Sequence, residues 1–427
     1  MNNNLSFVFK GYKANISSGR AEFNYEINGG KKELSFTEKI YFSSVVSSIQ
    51  PILLKAIFNN LMLILGISYW KTYCPKEIII ESNFLTKNQA EFWNTVYTKG
   101  LGEFFYKNDI DFRGLIQFPS ARQNSEKAIS FPRKDRTFLG LGGGKDSIVA
   151  AEILKKQNKD FDLFTVGTSE IQEGVANLIG KKPILIKREL DSKLFELNKE
   201  KGVYNGHIPI SIIYAFLGLL ASVLYDYSSV VVGNEKSANY GNVIYLGEII
   251  NHQWSKSEEF EKLFNEYVGK YITESVSYFS LLRNMSELEV MKEFVKYPKY
   301  FKAFSSCNRN FKILRGVYPE RSRRAQDDNK RWCGECAKCL FVFTLLCVFL
   351  SKKEVLGIFG QNLFENKTLL KPFKELLGLE NFKPFECVGT PEEMSFALEN
   401  VYKKGEFSKT PLMEFFVNSE NRRECFC

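Results

Sequence analysis

The stretch Leu139-Gly140-Leu141-Gly142-Gly143-Gly144-Lys145-Asp146-Ser147 constrains this chain more than any other. An apolar run from Phe138 to Leu141 leads into it, and a helix-like stretch from Ile148 to Lys156 follows. The pattern predicts a strand, a glycine loop and a helix N-terminus. Glycines lack a Cβ, so successive backbone N–H groups can turn toward one point, and the helix dipole adds partial positive charge there. Lys145 supplies a cation, Ser147 a hydroxyl, and Asp146 a carboxylate that can help hold a metal-bound anion. Gly142, Gly143, Gly144, Lys145, Asp146 and Ser147 are therefore expected to receive a nucleotide's phosphates. The spacing is not G-x-x-x-x-G-K-[ST], which excludes the common P-loop. The bland alternative is a glycine turn between a strand and a helix.

The 427 residues suffice for two or three domains with proper cores. The net charge of +9, from 58 basic and 49 acidic residues, permits an anionic ligand. Because Lys and Arg are scattered, no nucleic-acid partner is expected. The densest basic patch, Arg321, Arg323, Arg324, Lys330 and Arg331, reads as a solvated loop or a phosphate contact. Met1 to Leu5 is Asn-rich with no apolar leader, so a cytoplasmic protein is expected. The most apolar stretch, Ile208 to Tyr225, contains Pro209, Ser211 and Ser222 and reads as a buried core helix, without membrane insertion. Nine cysteines in such a chain argue for thiols or metal ligands, not disulfides.

The organisation expected is α/β, in three parts. Residues 1–132 read as an α+β domain: strands over 5–14, 21–27 and 32–41 with an Asn28-Gly29-Gly30 turn, a helix from Ile49 to Tyr69, a short strand from Glu77 to Glu81, and a helix from Lys87 to Tyr106. Residues 133–350 alternate between strand and helix. After the glycine loop come Asp162–Val166, Ala176–Leu178 and Ile184–Ile186 as β-rich runs, then the helix 208–225 and the run Ser229–Val232. That order implies a parallel sheet with right-handed crossovers, whose ligands sit beyond the carboxyl ends of the strands. The loops to inspect follow Leu141, Val166, Ile186 and Val232. Residues 351–427 read as a helical C-terminal region (363–376, 392–401, 411–417) with no chemical signature.

The loop after Val232 is polar and glycine-punctuated, with Asn234, Glu235, Lys236 and Asn239 placed to meet a substrate. The two histidines of the chain, His207 and His252, stand before Pro209 and in the polar segment Asn251–Ser255, ahead of a helix from Lys256 to about Tyr271. A lone histidine is more often structural or exposed than functional. Ser286 with Glu289 forms a capping-box pattern opening a helix to Val295. Cys333-Gly334-Glu335-Cys336-Ala337-Lys338-Cys339 places three thiols at metal-ligand spacing, and Cys307 can supply a fourth. Four thiolates suit a structural zinc ion; the same spacing also fits an iron–sulfur cluster, and free buried thiols are the bland reading. Cys347 lies in an apolar run and reads as core, while Cys74, Cys387, Cys425 and Cys427 show no metal pattern.

Gly143, Gly144, Asp146 and Ser147 resemble the S-G-G-x-D-S loop of the ATP pyrophosphatases (PP-loop, HUP-like fold), with Gly142 where the leading serine stands. In several members a loop ahead of a helix like the one at Ser286 faces the phosphates, which makes Arg283 a candidate anion ligand; an exposed arginine is the alternative. A closer resemblance rests on the glycine loop with Gly206-His207-Ile208-Pro209, Asn234-Glu235-Lys236-Ser237-Ala238-Asn239, Asn251-His252-Gln253, Phe304-Ser305-Ser306-Cys307-Asn308-Arg309 and Arg331-Trp332-Cys333-Gly334-Glu335-Cys336. Over about residues 138–350 these segments resemble the MurL type of UDP-N-acetylmuramoyl-L-alanyl-L-glutamate epimerase. The resemblance implies ATP- and Mg2+-dependent inversion of the terminal L-glutamate of a UDP-muramoyl dipeptide. The carboxyl group would be joined to AMP with release of pyrophosphate, which removes its negative charge and makes the α-proton easier to abstract. His207, His252, Glu235 and Cys307 are the acid/base candidates, and the sequence does not choose among them. Two rivals stand beside this reading. Other PP-loop enzymes, of the 7-cyano-7-deazaguanine synthase or tRNA-modifying kinds, also carry cysteine clusters. A non-catalytic nucleotide sensor would leave the polar loops at Asn234 and His252 without a purpose.

Overall fold

The computed structural model describes residues 5–29, 32–43, 49–82, 84–121, 128–307, 309, 331–380 and 382–424. Gly30, Asn308, Arg321, Arg323, Arg324, Lys330, Cys425 and Cys427 lie outside them.

Three strands open the chain: β1 (Ser6–Asn15), β2 (Arg20–Gly29) and β3 (Lys32–Tyr41). Their apolar residues recur at every second position, so Phe7, Phe9, Phe23, Tyr25, Ile27, Phe36 and Ile40 share one buried face. That face packs on the apolar helix α1 (Pro51–Trp70). By length and composition α1 is apolar enough to cross a membrane, yet 78% of its apolar window is buried in the protein. The strand β4 (Glu77–Ile80) pairs with β1, and α2 (Lys87–Gly100) and α3 (Gly102–Lys107) follow. A single helix was expected over 87–106; it is two, meeting at Leu101. A Cβ on Gly100 would lie 2.8 Å from Pro209, and one on Gly102 3.3 Å from Ile250, so both glycines admit close neighbours at this joint.

The second part alternates as expected: β5 (Thr137–Gly140), α4 (Lys145–Lys156), β6 (Phe161–Val166), α5 (Glu170–Ile179), β7 (Ile184–Glu189), α6 (Lys193–Leu197), α7 (Ile210–Tyr225) and β8 (Ser229–Val232). Ala176–Leu178, expected as a β-rich run, lies inside α5, where Val175, Ala176 and Ile179 face the core at helical spacing. A small hairpin, β9 (Val243–Tyr245) with β10 (Glu248–Ile250), precedes α8 (Glu258–Tyr271), β11 (Ser277–Ser280) and α9 (Glu287–Phe294). Ser286 caps α9 in a capping box with Glu289, as the sequence signalled. The remaining α-helices among the described residues are α10 (Ala337–Phe349), α11 (Lys352–Phe359), α12 (Leu370–Leu376), α13 (Pro391–Lys404) and α14 (Pro411–Glu424).

Apart from the β9–β10 hairpin, the described strands form one nine-stranded sheet in the order β11-β8-β5-β6-β7-β3-β2-β1-β4. From β11 to β7 the pairing is parallel. The antiparallel pair β3–β7 joins this half to the N-terminal strands. The seam is pinned by a buried ion pair, Arg188 Nε to Glu38 Oε1 at 2.6 Å, with Arg188 also donating to the Ser68 hydroxyl. Alternation along the parallel strands feeds two cores. Phe138, Phe164 and Val230 join α7 and α1, while Leu139, Leu163 and Val231 join α4, α9, α10 and the C-terminal helices. The last hundred residues thus complete the second core.

Candidate active site

The parallel half runs β7-β6-β5-β8-β11, so the chain winds one way from β5 and then the other from β8. In open α/β sheets the crevice beyond the carboxyl ends at such a reversal is where ligands bind. The glycine loop follows β5 and the Asn234–Asn239 loop follows β8, which puts both at that crevice. They touch directly: a Cβ on Gly233 would stand 2.8 Å from the Asp146 carbonyl oxygen. Gly143 has φ +84°, and a Cβ there would meet Ile171 at 2.8 Å. Gly142 faces open space. No side chain caps the N-terminus of α4 at Gly144, and Ser147 donates to the Gly144 carbonyl at 3.0 Å. The segment Ser305–Cys307 lies over the loop, with the Ser305 N–H donating to the Gly143 carbonyl at 3.1 Å. The buried Ser306 hydroxyl, 2.8 Å from where a Gly144 Cβ would be, has no hydrogen-bond partner among the described residues. An uncapped helix start, an open glycine and an unsatisfied buried hydroxyl make a cradle suited to an anion.

A belt of charge leads away from this loop. Lys145 is fully buried, its ammonium held by Asp146 and Glu287. Burial alone would lower its proton affinity, but Asp146, Glu287 and Glu235 outweigh it, so Lys145 stays charged. Its charge is thus committed to this acidic pair. Lys338 lies 3.7 Å from Glu287, and its backbone N–H donates to Glu386 at 2.7 Å. Glu235 is buried and accepts from Ser237 at 3.0 Å. Lys256 is also kept charged: burial is overcome chiefly by Cys387 and Glu235, with Asp146 adding to them.

Beyond Lys256 the belt ends in a carboxylate, two imidazoles and a thiol. Glu103, on α3, faces both histidines: His252 Nδ1 at 2.5 Å and His207 Nδ1 at 3.2 Å. The imidazole rings are 4.7 Å apart. One buried carboxylate thus holds the two imidazoles together. Burial would raise Glu103, but the hydrogen bond from His252 and the charges of both histidines bring it down to about 2. The other nitrogen of His252, Nε2, lies 4.0 Å from Cys387 Sγ, and Lys256 Nζ lies 3.1 Å from the same sulfur. Burial works against a charged His252, yet Cys387 and Glu103 raise it to about 9. Burial likewise opposes a charged Cys387, and Lys256 with His252 overcomes it, bringing the thiol down to about 5. At neutral pH the pair is therefore imidazolium and thiolate.

Cys307, Cys333, Cys336 and Cys339 offer four sulfurs all within 4.8 Å of one another. Cys333 and Cys339 are 3.6 Å apart, close to the about 3.8 Å edge of a tetrahedron of sulfurs around zinc. Cys336 and Cys339 are pushed far above the ordinary thiol range, first by Cys307 and then by the other sulfurs. Four thiolates this crowded can ionise together only around a cation.

The other expected site residues stand on the loops that follow β8 and β11. Asn234 exchanges backbone hydrogen bonds with the Ser280 hydroxyl, at 2.8 and 2.6 Å. Lys236 is exposed, and Asn239 accepts from the Glu258 N–H at the start of α8. Arg283 is bound to Glu261 at 2.7 Å through Nη2, and its buried Nε and Nη1 have no hydrogen-bond partner among the described residues. The helical C-terminal region, expected to carry no chemistry, supplies Lys383, Glu386, Cys387 and Glu393. The Lys383 ammonium is buried, 5.3 Å from the Tyr240 ring centre, with no hydrogen-bond partner among the described residues. Burial lowers it to about 8 against the pull of Glu235 and Cys387. Thr390-Pro391 with Glu393 is a helix-start signal that marks Cys387 as a loop thiol. Nothing in the sequence pairs it with residues 103, 252 and 256.

The family descriptions "MurL N-terminal domain" and "MurL C-terminal domain" match residues 1–281 and 303–424. A Xanthomonas oryzae protein described as UDP-N-acetyl-alpha-D-muramoyl-L-alanyl-L-glutamate epimerase is 38% identical over 357 residues, 84% of this chain and 77% of its own. Proteins of the same description from Micromonospora sp. and Salinispora tropica are 32% and 33% identical, each across 97% of this chain and 90% and 88% of their own. Two family descriptions matched in chain order, with relatives this similar along nearly the whole length, make the chain a member of the MurL family.

Proposed function

We propose that this protein is an ATP-dependent epimerase of PP-loop type. It inverts the terminal L-glutamate of UDP-N-acetylmuramoyl-L-alanyl-L-glutamate for peptidoglycan synthesis in the cytoplasm. The observation that supports the mechanism is the cluster of buried charge between the glycine loop and the Glu103–histidine group.

The chemistry sets the order of events. Removing a proton α to a carboxylate places a second negative charge beside the first, so the carboxylate is activated beforehand. The glycine loop and the start of α4 hold the ATP phosphates, and the carboxylate oxygen attacks the α-phosphorus, releasing pyrophosphate. Asp146, with its partly exposed carboxylate, would hold Mg2+, which neutralises phosphate charge when bound. Lys145 and Glu287 fix Asp146 in place. The acylated α-carbon then loses its proton and regains it from the opposite face. Of the histidines, His252 is charged and engaged on both nitrogens, which disqualifies it as a base. His207 lies with its Nδ1 3.2 Å from Glu103, and we assign the proton transfer to this histidine. Glu235 adds to Asp146 and Glu287 in keeping Lys145 charged, and to Cys387 in keeping Lys256 charged. Cys307 goes to the sulfur cluster, which would hold a structural zinc ion; an iron–sulfur cluster interposes its own atoms between the thiolates and needs them farther apart. The crevice loops carrying Asn234, Lys236 and Asn239 remain the proposed substrate contacts.

Asp146→Ala tests the reading. Substrate-dependent pyrophosphate release should fall below detection while the far-ultraviolet circular dichroism stays that of the unaltered protein. ADP and inorganic phosphate as products would contradict it.

A further inference from the structure

Cys387 carries no metal motif, and none of the roles assigned above uses it. It nevertheless occupies the most distinctive electrostatic position in the crevice. Its sulfur has an ammonium 3.1 Å away on Lys256 and an imidazole nitrogen 4.0 Å away on His252. The far nitrogen of that imidazole is held by a buried carboxylate, Glu103, at 2.5 Å. A sulfur, a histidine on its Nε2 side and a carboxylate on the Nδ1 side form the arrangement that activates nucleophiles in acyl transfer. Lys338 and Lys383 also interact electrostatically with this sulfur, as does the Glu386 carboxylate. Cys387 is partly exposed, as are His252 and Lys256, while Glu103 is buried, so the sulfur is within reach of a ligand in the crevice.

We propose that Cys387 is a covalent nucleophile that takes the activated glutamyl group from AMP as a thioester, so that inversion occurs on the enzyme-bound thioester. The proposal rests on the adenylation reading above. In the transfer, the sulfur lone pair forms the S–C bond, the C–O bond to AMP breaks, and AMP departs with the electron pair as its phosphate anion. No oxidant or reductant is involved. The acyl group stays uncharged, so its α-proton stays acidified while the substrate is tethered. Water then attacks the thioester carbonyl, the C–S bond breaks, and the sulfur leaves as the thiolate that began the cycle; the proton released ionises from the new carboxylic acid. His252 and Glu103 are positioning residues here, keeping the departing sulfur anionic. A thiolate between two cations is a weak base, which fits attack on a carbonyl better than removal of a carbon-bound proton.

The test uses the full-length protein with ATP, Mg2+ and UDP-muramoyl-L-alanyl-L-glutamate labelled in the glutamate. Acid-quenched wild-type protein should carry label that hydroxylamine removes and that peptide mass mapping places on Cys387. Cys387→Ala and Cys387→Ser should still form pyrophosphate in a single turnover, yet carry no label and lose α-proton exchange by at least a hundredfold. Iodoacetamide should alkylate Cys387 in the resting wild-type enzyme with a rate that titrates near pH 5, and Lys256→Met should move that titration upward. Label capture and alkylation on the wild-type protein stand even if a variant misfolds. Undiminished exchange in Cys387→Ala overturns the proposal. Exchange lost with no label on the wild-type sulfur overturns the thioester and assigns Cys387 to proton transfer. Wild-type protein that releases no pyrophosphate overturns the adenylation reading and the thioester with it.

Discussion

Glu103 holds His207 and His252 together, because one buried carboxylate serves two imidazoles. The linked shifts give a signed pH dependence. His252 is raised from 6.5 to about 9, so its contribution to stability is full below pH 6.5 and is lost as pH climbs toward 9. Cys387 is lowered from 9.0 to about 5, so its contribution is full above pH 9 and is lost as pH falls toward 5. Glu103, lowered from 4.5 to about 2, loses its contribution between those values on acidification. Between pH 6.5 and 9 the histidine and cysteine slopes oppose each other, and stability from this group should be nearly flat. Cys387→Ser removes one slope. Urea denaturation of that variant should show stability falling as pH rises from 6.5, where the unaltered protein shows a plateau. The same plateau in both would contradict the assigned pair.

At the scale of elements, the loops after β5 and β8 work as a unit because Gly233 lets one backbone lie against the other. Gly233→Ala puts a methyl 2.8 Å from the Asp146 carbonyl, a backbone atom that cannot swing aside. Overpacking of this kind costs about 1–3 kcal/mol. The variant should lose that much in denaturant titration and should lose pyrophosphate formation more than tenfold, since Asp146 must move. Unchanged pyrophosphate formation would show that the two loops are not coupled. The sulfur cluster is a second unit, tying Cys307 beside the glycine loop to the start of α10. Elemental analysis should find one zinc per chain, and chelation should lower the thermal midpoint, because metal binding at such a site is coupled to folding. Zinc-free protein with an unchanged midpoint, or iron with sulfide, would contradict this. These units differ in how legible they were. The glycine loop, the Ser286–Glu289 capping box and the Cys333–Cys339 spacing each lie within a few residues, so local pattern disclosed them. Ala176–Leu178 was misread because three apolar residues carry no period that separates strand from helix.

At the scale of the whole molecule, the sheet brings distant segments to one crevice. The parallel half was legible from the alternation of strand and helix; its fusion to the N-terminal strands through β3 and β7 was not, because Glu38 and Arg188 meet across 150 residues. The same holds for the group around His252: Glu103 comes from α3 and Cys387 from the loop ahead of α13, far along the chain. Local spacing records nothing of such a meeting. The most direct measurement follows the α-hydrogen of the glutamyl residue in deuterated water with ATP and Mg2+. The product should be the D-glutamyl epimer carrying deuterium at Cα, formed with AMP and pyrophosphate. Without ATP exchange should stop, and His207→Gln should keep pyrophosphate formation while slowing exchange by about 10²–10⁴-fold. Exchange that proceeds without ATP, or ATP cleaved to AMP with no deuterium gained at Cα, would contradict activation before proton transfer.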